Sequence, residues 1–415
     1  MDTPAEALGH GAAAIRLAML TFYPADPAYI PGGIRMVAYN LVNALRAFPD
    51  LELHVFHCHS DIDRDRIVCD ERLTVHYLAL PRRRLVPNLV SGVRRLVRAL
   101  RALKPNLVHA HAAHFAYAGK MAGYPTVYTI HGILPYEREI YNRTLFDRLR
   151  YGLLDYYERR ALQRVDALVA ISPYVREAYE SLGRLTAARV GSRWHAPEWV
   201  RIDNPVPDDF FALPDRTEPW RVLYVGSITE VKDLLTLLRA IGRVRDVCFK
   251  VRLRLAGRAT SDEYARQVRA YVGQSRLEGN VCFLGLLDRQ QLLDEYSRAA
   301  VVALPSLREN APMALIEAMA SARPVVATAV GGVPYLVREG ETGFLVPAQD
   351  DEALADRLLA LLLDPAQARR MGERGREVAR QRFAAERVAS EYYALYKRLL
   401  MTHDVTAQAR AQGER

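Results

Sequence analysis

The sequence predicts two doubly wound α/β domains, each a parallel sheet with helices packed on its faces. Three observations carry this. At 415 residues the chain is longer than one hydrophobic core usually supports. Short β-branched runs alternate with segments of helical period along most of its length, which is the pattern of strand, helix, strand units. Midway, IDNPVPDDFFALP (residues 202–214) carries three prolines and no helical period, so it reads as a linker that divides the chain near residue 205.

Composition narrows the class. Half of the residues are hydrophobic and a quarter charged, as in an ordinary globular enzyme. The net charge of +9 rests on 52 Arg against 5 Lys; it speaks to solubility and encounter, not to fold. Cys58, Cys69, Cys248 and Cys282 form no CxxC pair or metal-ligand spacing and read as buried, reduced thiols. The N-terminus has two acids and no basic region before an apolar run, so it does not read as a signal peptide. No apolar stretch approaches the roughly 18 residues a spanning helix needs. The expectation is a cytoplasmic protein.

In chain order, residues 1–13 read as disordered and 14–205 as the first domain. Its first strand is Ile15 to Thr21. Gly32-Gly33 precede a helix with Ile34, Ala38, Leu41 and Leu45 on one face, and glycines there let a backbone approach a ligand closely. Strands follow at Leu51 to His57 and Leu73 to Leu80. Residues 82–104 form a basic amphipathic helix. Its arginines suit a solvated face or, more sharply, peripheral contact with an anionic membrane. His109, His111 and His114 make an HxHxxH string. Strand alternation explains two of its positions and no Cys or carboxylate lies nearby, so no metal site is expected. The strand Thr126 to Ile130 delivers His131 to its carboxyl end. A long helix, Leu145 to Arg164, then the strand Ala167 to Ile171 and a helix opened by Ser172-Pro173 complete the domain.

The second domain spans 206–380. Arg221 to Val225 is a strand that turns through Gly226-Ser227 into a helix bearing Leu234, Leu237, Leu238 and Ile241. Lys232 opens that helix, and a cation there opposes the dipole, so a phosphate between them would explain it. Further strands read at Val251 to Gly257, Val281 to Leu284 and Gly343 to Val346. A last helix, Glu386 to Leu400, occupies 381–402, and 403–415 reads as a disordered tail.

The stretch from Ala300 to Val333 organises the rest. A Val-rich strand ends at Pro305-Ser306, a polar loop follows, and apolar periodicity resumes from Met313 to Met319 before the strand Val325 to Val330. Pro312 suits the first turn of the intervening helix, which leaves free N–H groups near residues 312–314 to attract an anion. Glu309 and Glu317 flank this helix start. Eight residues at a rise of about 1.5 Å separate them by roughly 12 Å at most, whereas a retaining glycosidase holds its carboxylates about 5 to 5.5 Å apart. Two hydroxyl-binding carboxylates around an anion seat suit a ligand with hydroxyls at both ends and phosphates between, a nucleotide sugar.

Glu309, seven residues, Glu317, then Ala318-Met319-Ala320, Pro324-Val325-Val326-Ala327-Thr328 and Gly331-Gly332, resemble the retaining glycosyltransferases of family four, which have the GT-B fold with an interdomain cleft. The resemblance implies an enzyme that moves a sugar from a nucleotide-sugar donor to a glycan, lipid-linked or small-molecule acceptor, without metal or other cofactor. It implies catalytic roles for Glu309, Lys232 and His131. It implies a donor site made by Gly33, Gly226, Ser227, Arg258, Leu286, Asn310, Ala311, Pro312, Met313 and Glu317, with a terminal helix crossing back onto the first domain. Ser227 departs from the family pattern, which often has Arg there; Arg258 could supply the missing charge. Two other classes fit the sequence less well. A nucleotide-binding oxidoreductase is opposed by the place of its only GxGxxA-like string, Gly9 to Ala14, before any strand. A nucleic-acid-binding protein would rest on arginine content alone, without interleaved aromatics.

Overall fold

The computed structural model describes residues 15–30, 32–80, 88–141, 144–184 and 196–413. The expected disorder of residues 1–13, and Arg82, Arg83 and Arg84 of the basic segment, lie outside these.

Two sheets hold the chain. The first contains β1 (Ile15–Leu20), β2 (Leu51–His59), β3 (Arg66–Asp70), β4 (Leu73–Ala79), β5 (Leu107–Ala110), β6 (Thr126–Ile130), β7 (Ala167–Ala170) and β8 (Glu198–Arg201), in the order β3-β4-β2-β1-β5-β6-β7-β8. The second contains β9 (Arg221–Val225), β10 (Arg252–Ala256), β11 (Val281–Gly285), β12 (Val301–Leu304), β13 (Val325–Thr328) and β14 (Gly343–Val346), in the order β11-β10-β9-β12-β13-β14. Pairing is parallel except between β3 and β4. Strands such as Val301–Leu304 and Val325–Thr328 are fully buried, which is why they read as continuous apolar runs instead of alternating ones.

The sequence reading missed β3, β8 and the helix Leu134–Tyr141. β3 is a fully exposed edge strand, so no apolar face marks it. β8 is four residues long with charged ends. The basic helix spans Asn88–Leu103 and packs Val93, Leu96 and Leu100 into the first core. Cys58 alone of the four cysteines is buried; Cys69 and Cys282 are exposed and Cys248 partly so. The prediction of four buried thiols fails because Cys69 sits on the edge strand and Cys282 on β11, itself an edge of its sheet.

The closing helix runs Ala385–Gly413, beyond the end predicted near residue 402. No Gly or Pro interrupts residues 385–412, so nothing local stops it. Val388, Tyr392, Leu395, Tyr396 and Leu399 join the core beneath the first sheet, so the chain returns to the domain where it began. Where it crosses back it pairs with the outward crossing: Val206 N–H donates to the Phe383 carbonyl at 2.7 Å and Ala385 N–H to the Val206 carbonyl at 3.0 Å.

Candidate active site

Each sheet changes direction once, between β1 and β5 and between β9 and β12. Ligands of open α/β sheets bind outside the carboxyl ends of strands at such points, and here the two points share one cavity of about 640 Å3. The first domain contributes Gly33, Arg35 and Met36 after β1, and His131 after β6. The second contributes Gly226, Ser227 and Lys232 after β9, Arg258 after β10, Leu286 after β11, and Glu309 to Met313 after β12. Glu317 lines the cavity from the helix Met313–Ala320. Every site residue expected from sequence therefore borders the same space.

Glu309 is nearly buried and its carboxylate accepts from the Lys232 ammonium and from Ser306 Oγ, the latter at 2.7 Å. Two glycines hold its loop in place. Gly332 N–H donates to the Glu309 carbonyl at 2.8 Å. A Cβ on Gly332 would lie 1.8 Å from the Asn310 carbonyl oxygen, and one on Gly331 (φ +53°) 2.1 Å from that of Glu309. Only a residue without a side chain allows backbone to approach backbone this closely.

Two local expectations need correction. Lys232 does not open the long helix. It ends a 3-10 turn, Glu230–Lys232, and the helix Leu234–Val247 is capped by Asp233, whose side chain accepts from Thr236 N–H. An acid thus sits at that helix start, and the supposed conflict between Lys232 and the dipole disappears. Pro312 is the residue just before the helix Met313–Ala320, not part of its first turn. The amides of Met313 and Ala314 still precede any intrahelical acceptor.

Glu317 is 3% exposed and accepts from the Tyr296 hydroxyl at 2.9 Å. Burial pushes its pKa up to about 7, partly offset by the Tyr296 hydrogen bond and Arg289. Arg258 lies beside Ser227: the Ile228 N–H donates to the Arg258 carbonyl at 3.0 Å. A Cβ on Gly257 (φ +143°) would lie 1.8 Å from the Gly226 carbonyl.

His131 stands on the facing wall. Its Nε2 lies 2.9 Å from His111 Nδ1, and burial lowers its pKa to about 4, so the ring is neutral at pH 7. Asn310 Nδ2 donates to its carbonyl at 2.9 Å, and Asn204 Nδ2 donates to the Ala311 carbonyl at 3.2 Å. These bonds tie the motif loop to the first domain and to the linker. Of the HxHxxH string, His109 is bonded to Thr129 Oγ1 at 2.8 Å and to the Tyr396 hydroxyl at 2.7 Å. Among the described residues the cluster with metal-ligand proximity is a different one, His57, His59 and Asp61. Its His57 Nδ1 accepts the Tyr23 N–H at 3.0 Å. The ring proton then belongs on Nε2, where it faces Asp61 Oδ1 at 3.0 Å, and that nitrogen has no free lone pair for an ion.

Residues 206–378 match the description "Glycosyl transferases group 1" and residues 31–191 match "Glycosyltransferase Family 4". An alpha-maltose-1-phosphate synthase of Mycobacterium tuberculosis is 30% identical over 326 residues, covering 73% of this chain and 82% of that protein. The chain belongs to the glycosyltransferases of family four. The fold of this glycosyltransferase is GT-B. Sucrose-phosphate synthase from Thermosynechococcus elongatus superimposes with a TM-score of 0.78 at 25% identity, over 94% of this chain and all of the other. HepE of Anabaena, solved with UDP and glucose, gives 0.69 at 18% identity over 92% and 99%. A D-inositol 3-phosphate glycosyltransferase of Corynebacterium glutamicum is 34% identical over 200 residues, 46% of this chain and 45% of that one. Membership removes the case for an oxidoreductase or a nucleic-acid-binding protein. No helix among the described residues is long and apolar enough to cross a membrane.

Sequence reasoning overlooked Arg35, Ser306, Tyr296 and Arg289. Ser306 had a local signal, three residues before Glu309. Tyr296 and Arg289 reach the site from the helix Arg289–Arg298, and only the fold brings them there.

Proposed function

We propose that this glycosyltransferase is a retaining enzyme that takes a sugar from a nucleoside diphosphate sugar and delivers it to a hydroxyl of a glycan, lipid-linked or small-molecule acceptor, as in polysaccharide or glycoconjugate assembly. One observation carries the reading: the Lys232–Glu309 pair beside the open amides of Met313 and Ala314, inside the interdomain cavity. A diphosphate lying on those amides would draw Lys232 to itself and release Glu309 for the hydroxyls of the donor sugar. Structural neighbours solved with UDP and with UDP-glucose support this choice of donor.

Chemically the site would act by positioning and by neutralising charge. Lys232, Arg258 and the amides stabilise the diphosphate as the glycosidic bond lengthens. Glu317 takes the ribose hydroxyls, and the backbone near Leu286 borders the base. His131 approaches the sugar from the first domain. The acceptor hydroxyl attacks on the face the leaving group vacates, so the anomeric configuration is kept without a covalent carboxylate intermediate. These protein groups supply the charge that a metal supplies elsewhere, so EDTA should leave transfer unchanged.

Peripheral contact with anionic lipid would use Arg94 and Arg98, which are exposed on the basic helix. A thermal-shift screen against UDP, GDP, ADP and their sugars tests the donor, and proton NMR of the product tests retention. A chain that no nucleotide stabilises, or a product of inverted configuration, refutes the reading.

A further inference from the structure

The wall that the first domain lends to the cavity is apolar at Ala28, Ile30, Ile34, Met36 and Val37, and among its described lining residues one carries a charge, Arg35. Its guanidinium is held from behind. Nη2 donates to Asp61 Oδ2 at 2.7 Å. The other Asp61 oxygen faces His57 Nε2 at 3.0 Å, and His57 is fixed in turn by the Tyr23 N–H on its Nδ1. Since a backbone N–H can only donate, the direction of each bond is settled, and the chain runs Tyr23 N–H, His57, Asp61, Arg35. Burial would raise the Asp61 carboxyl, but its hydrogen bonds with His57 and His59 outweigh it and bring its pKa down to about 2. Asp61 itself does not line the cavity. The countercharge therefore sits behind the wall, while Arg35, at 23% side-chain exposure, lines the ligand space.

A buttressed arginine fork in an apolar wall suits a phosphate or diphosphate oxygen. The donor diphosphate of the proposed reaction already has Lys232, Arg258 and two amides on the opposite wall. We infer that Arg35 seats an anionic group on the acceptor, so that this enzyme glycosylates a phosphorylated acceptor, a sugar phosphate or a lipid-linked phosphate, and not a neutral glycan. The inference rests on the proposed function and narrows it. Similar proteins are named for phosphorylated products or acceptors, among them maltose-1-phosphate and sucrose-phosphate, which agrees with this choice.

The test uses full-length protein saturated with the nucleoside diphosphate that raises its melting temperature. Calorimetry then measures binding of glucose 1-phosphate, of glucose, and of a short-chain prenyl phosphate. The expected result is binding of at least one phosphate probe at least tenfold tighter than glucose. Arg35→Gln should lose that preference while its nucleotide affinity stays within twofold, and Arg35→Lys should recover part of it. A tighter prenyl phosphate marks a lipid source, a tighter glucose 1-phosphate a soluble one. Equal binding of glucose and both phosphates, or an Arg35→Gln protein that keeps the preference, overturns the inference. If instead no nucleotide shifts the melting temperature, it is the glycosyltransfer reading that has failed.

Discussion

Replacing Glu317 with Gln should make the protein relatively more stable as pH rises. Glu317 is buried at 3% exposure and its pKa is raised from 4.5 to about 7 by desolvation. A carboxyl with a raised folded-state pKa contributes stability that is complete below 4.5 and is lost as pH climbs through 7, because the folded state then holds a charge the unfolded state solvates better. The difference of about 2.5 units corresponds to about 3 kcal/mol across the window, of which about 1.4 kcal/mol falls between pH 6 and 8.5. Gln keeps the shape and can still accept from Tyr296, but has no proton to lose. Glu158, also raised to about 7 by burial, slopes the same way in both proteins. His109, His114 and His131, lowered by burial, slope the opposite way below pH 6.5. Only the difference between variant and wild type isolates Glu317. The assay is urea denaturation of the two proteins at half-unit pH steps from 6 to 8.5. A stability difference that stays constant over that range refutes the argument that this carboxyl is held neutral by burial.

Three further outcomes are expected. Glu309→Gln should lower kcat by roughly a hundredfold with little change in nucleotide affinity, whereas Lys232→Ala should weaken nucleotide binding by about tenfold as well as slow turnover; steady-state kinetics beside nucleotide titration separates the two, and unchanged transfer in Glu309→Gln removes its proposed role. Gly332→Ala should destabilise by about 3 kcal/mol because its Cβ meets the Asn310 carbonyl, while Gly242→Ala, inside the helix Leu234–Val247 with nothing within 4 Å of the new carbon, should stabilise by about 0.5 to 1 kcal/mol; thermal melts of the pair decide it. Replacing Arg94 and Arg98 by Glu should abolish sedimentation with phosphatidylglycerol vesicles and leave transfer to a soluble acceptor intact, and equal sedimentation of variant and wild type would remove lipid contact through that helix.

What the sequence discloses here follows from how local each feature is. The strand, loop and helix around Glu309 carry their own punctuation in Pro305, Pro312 and Gly331-Gly332, so both the element order and the residues that meet in the cavity could be read without coordinates. Lys232 shows the limit: its place in the cavity is legible, but it does not oppose the helix dipole, because Asp233 in a left-handed conformation (φ 45°) caps the helix one residue later. Partnerships across strands left no trace. Nothing near Arg35 in sequence points to Asp61, His57 and the Tyr23 amide, and nothing near Glu317 points to Tyr296. The edge strand Arg66–Asp70 is exposed on every residue, so it has none of the apolar alternation that betrays its neighbours.

The paired crossing at Val206 and Ala384 decides what kinds of motion the molecule can make. With two backbones bonded side by side as the axle, the halves can swing about that line, yet they cannot slide along it without breaking both bonds. Any narrowing of the gap must then be a rotation. Such a swing has to part the bonds that cross between the halves beside the cavity, Arg308 to the Tyr136 carbonyl and Glu139, and Asn310 to the His131 carbonyl. Opening and closing of the gap are then tied to the making and breaking of those few bonds.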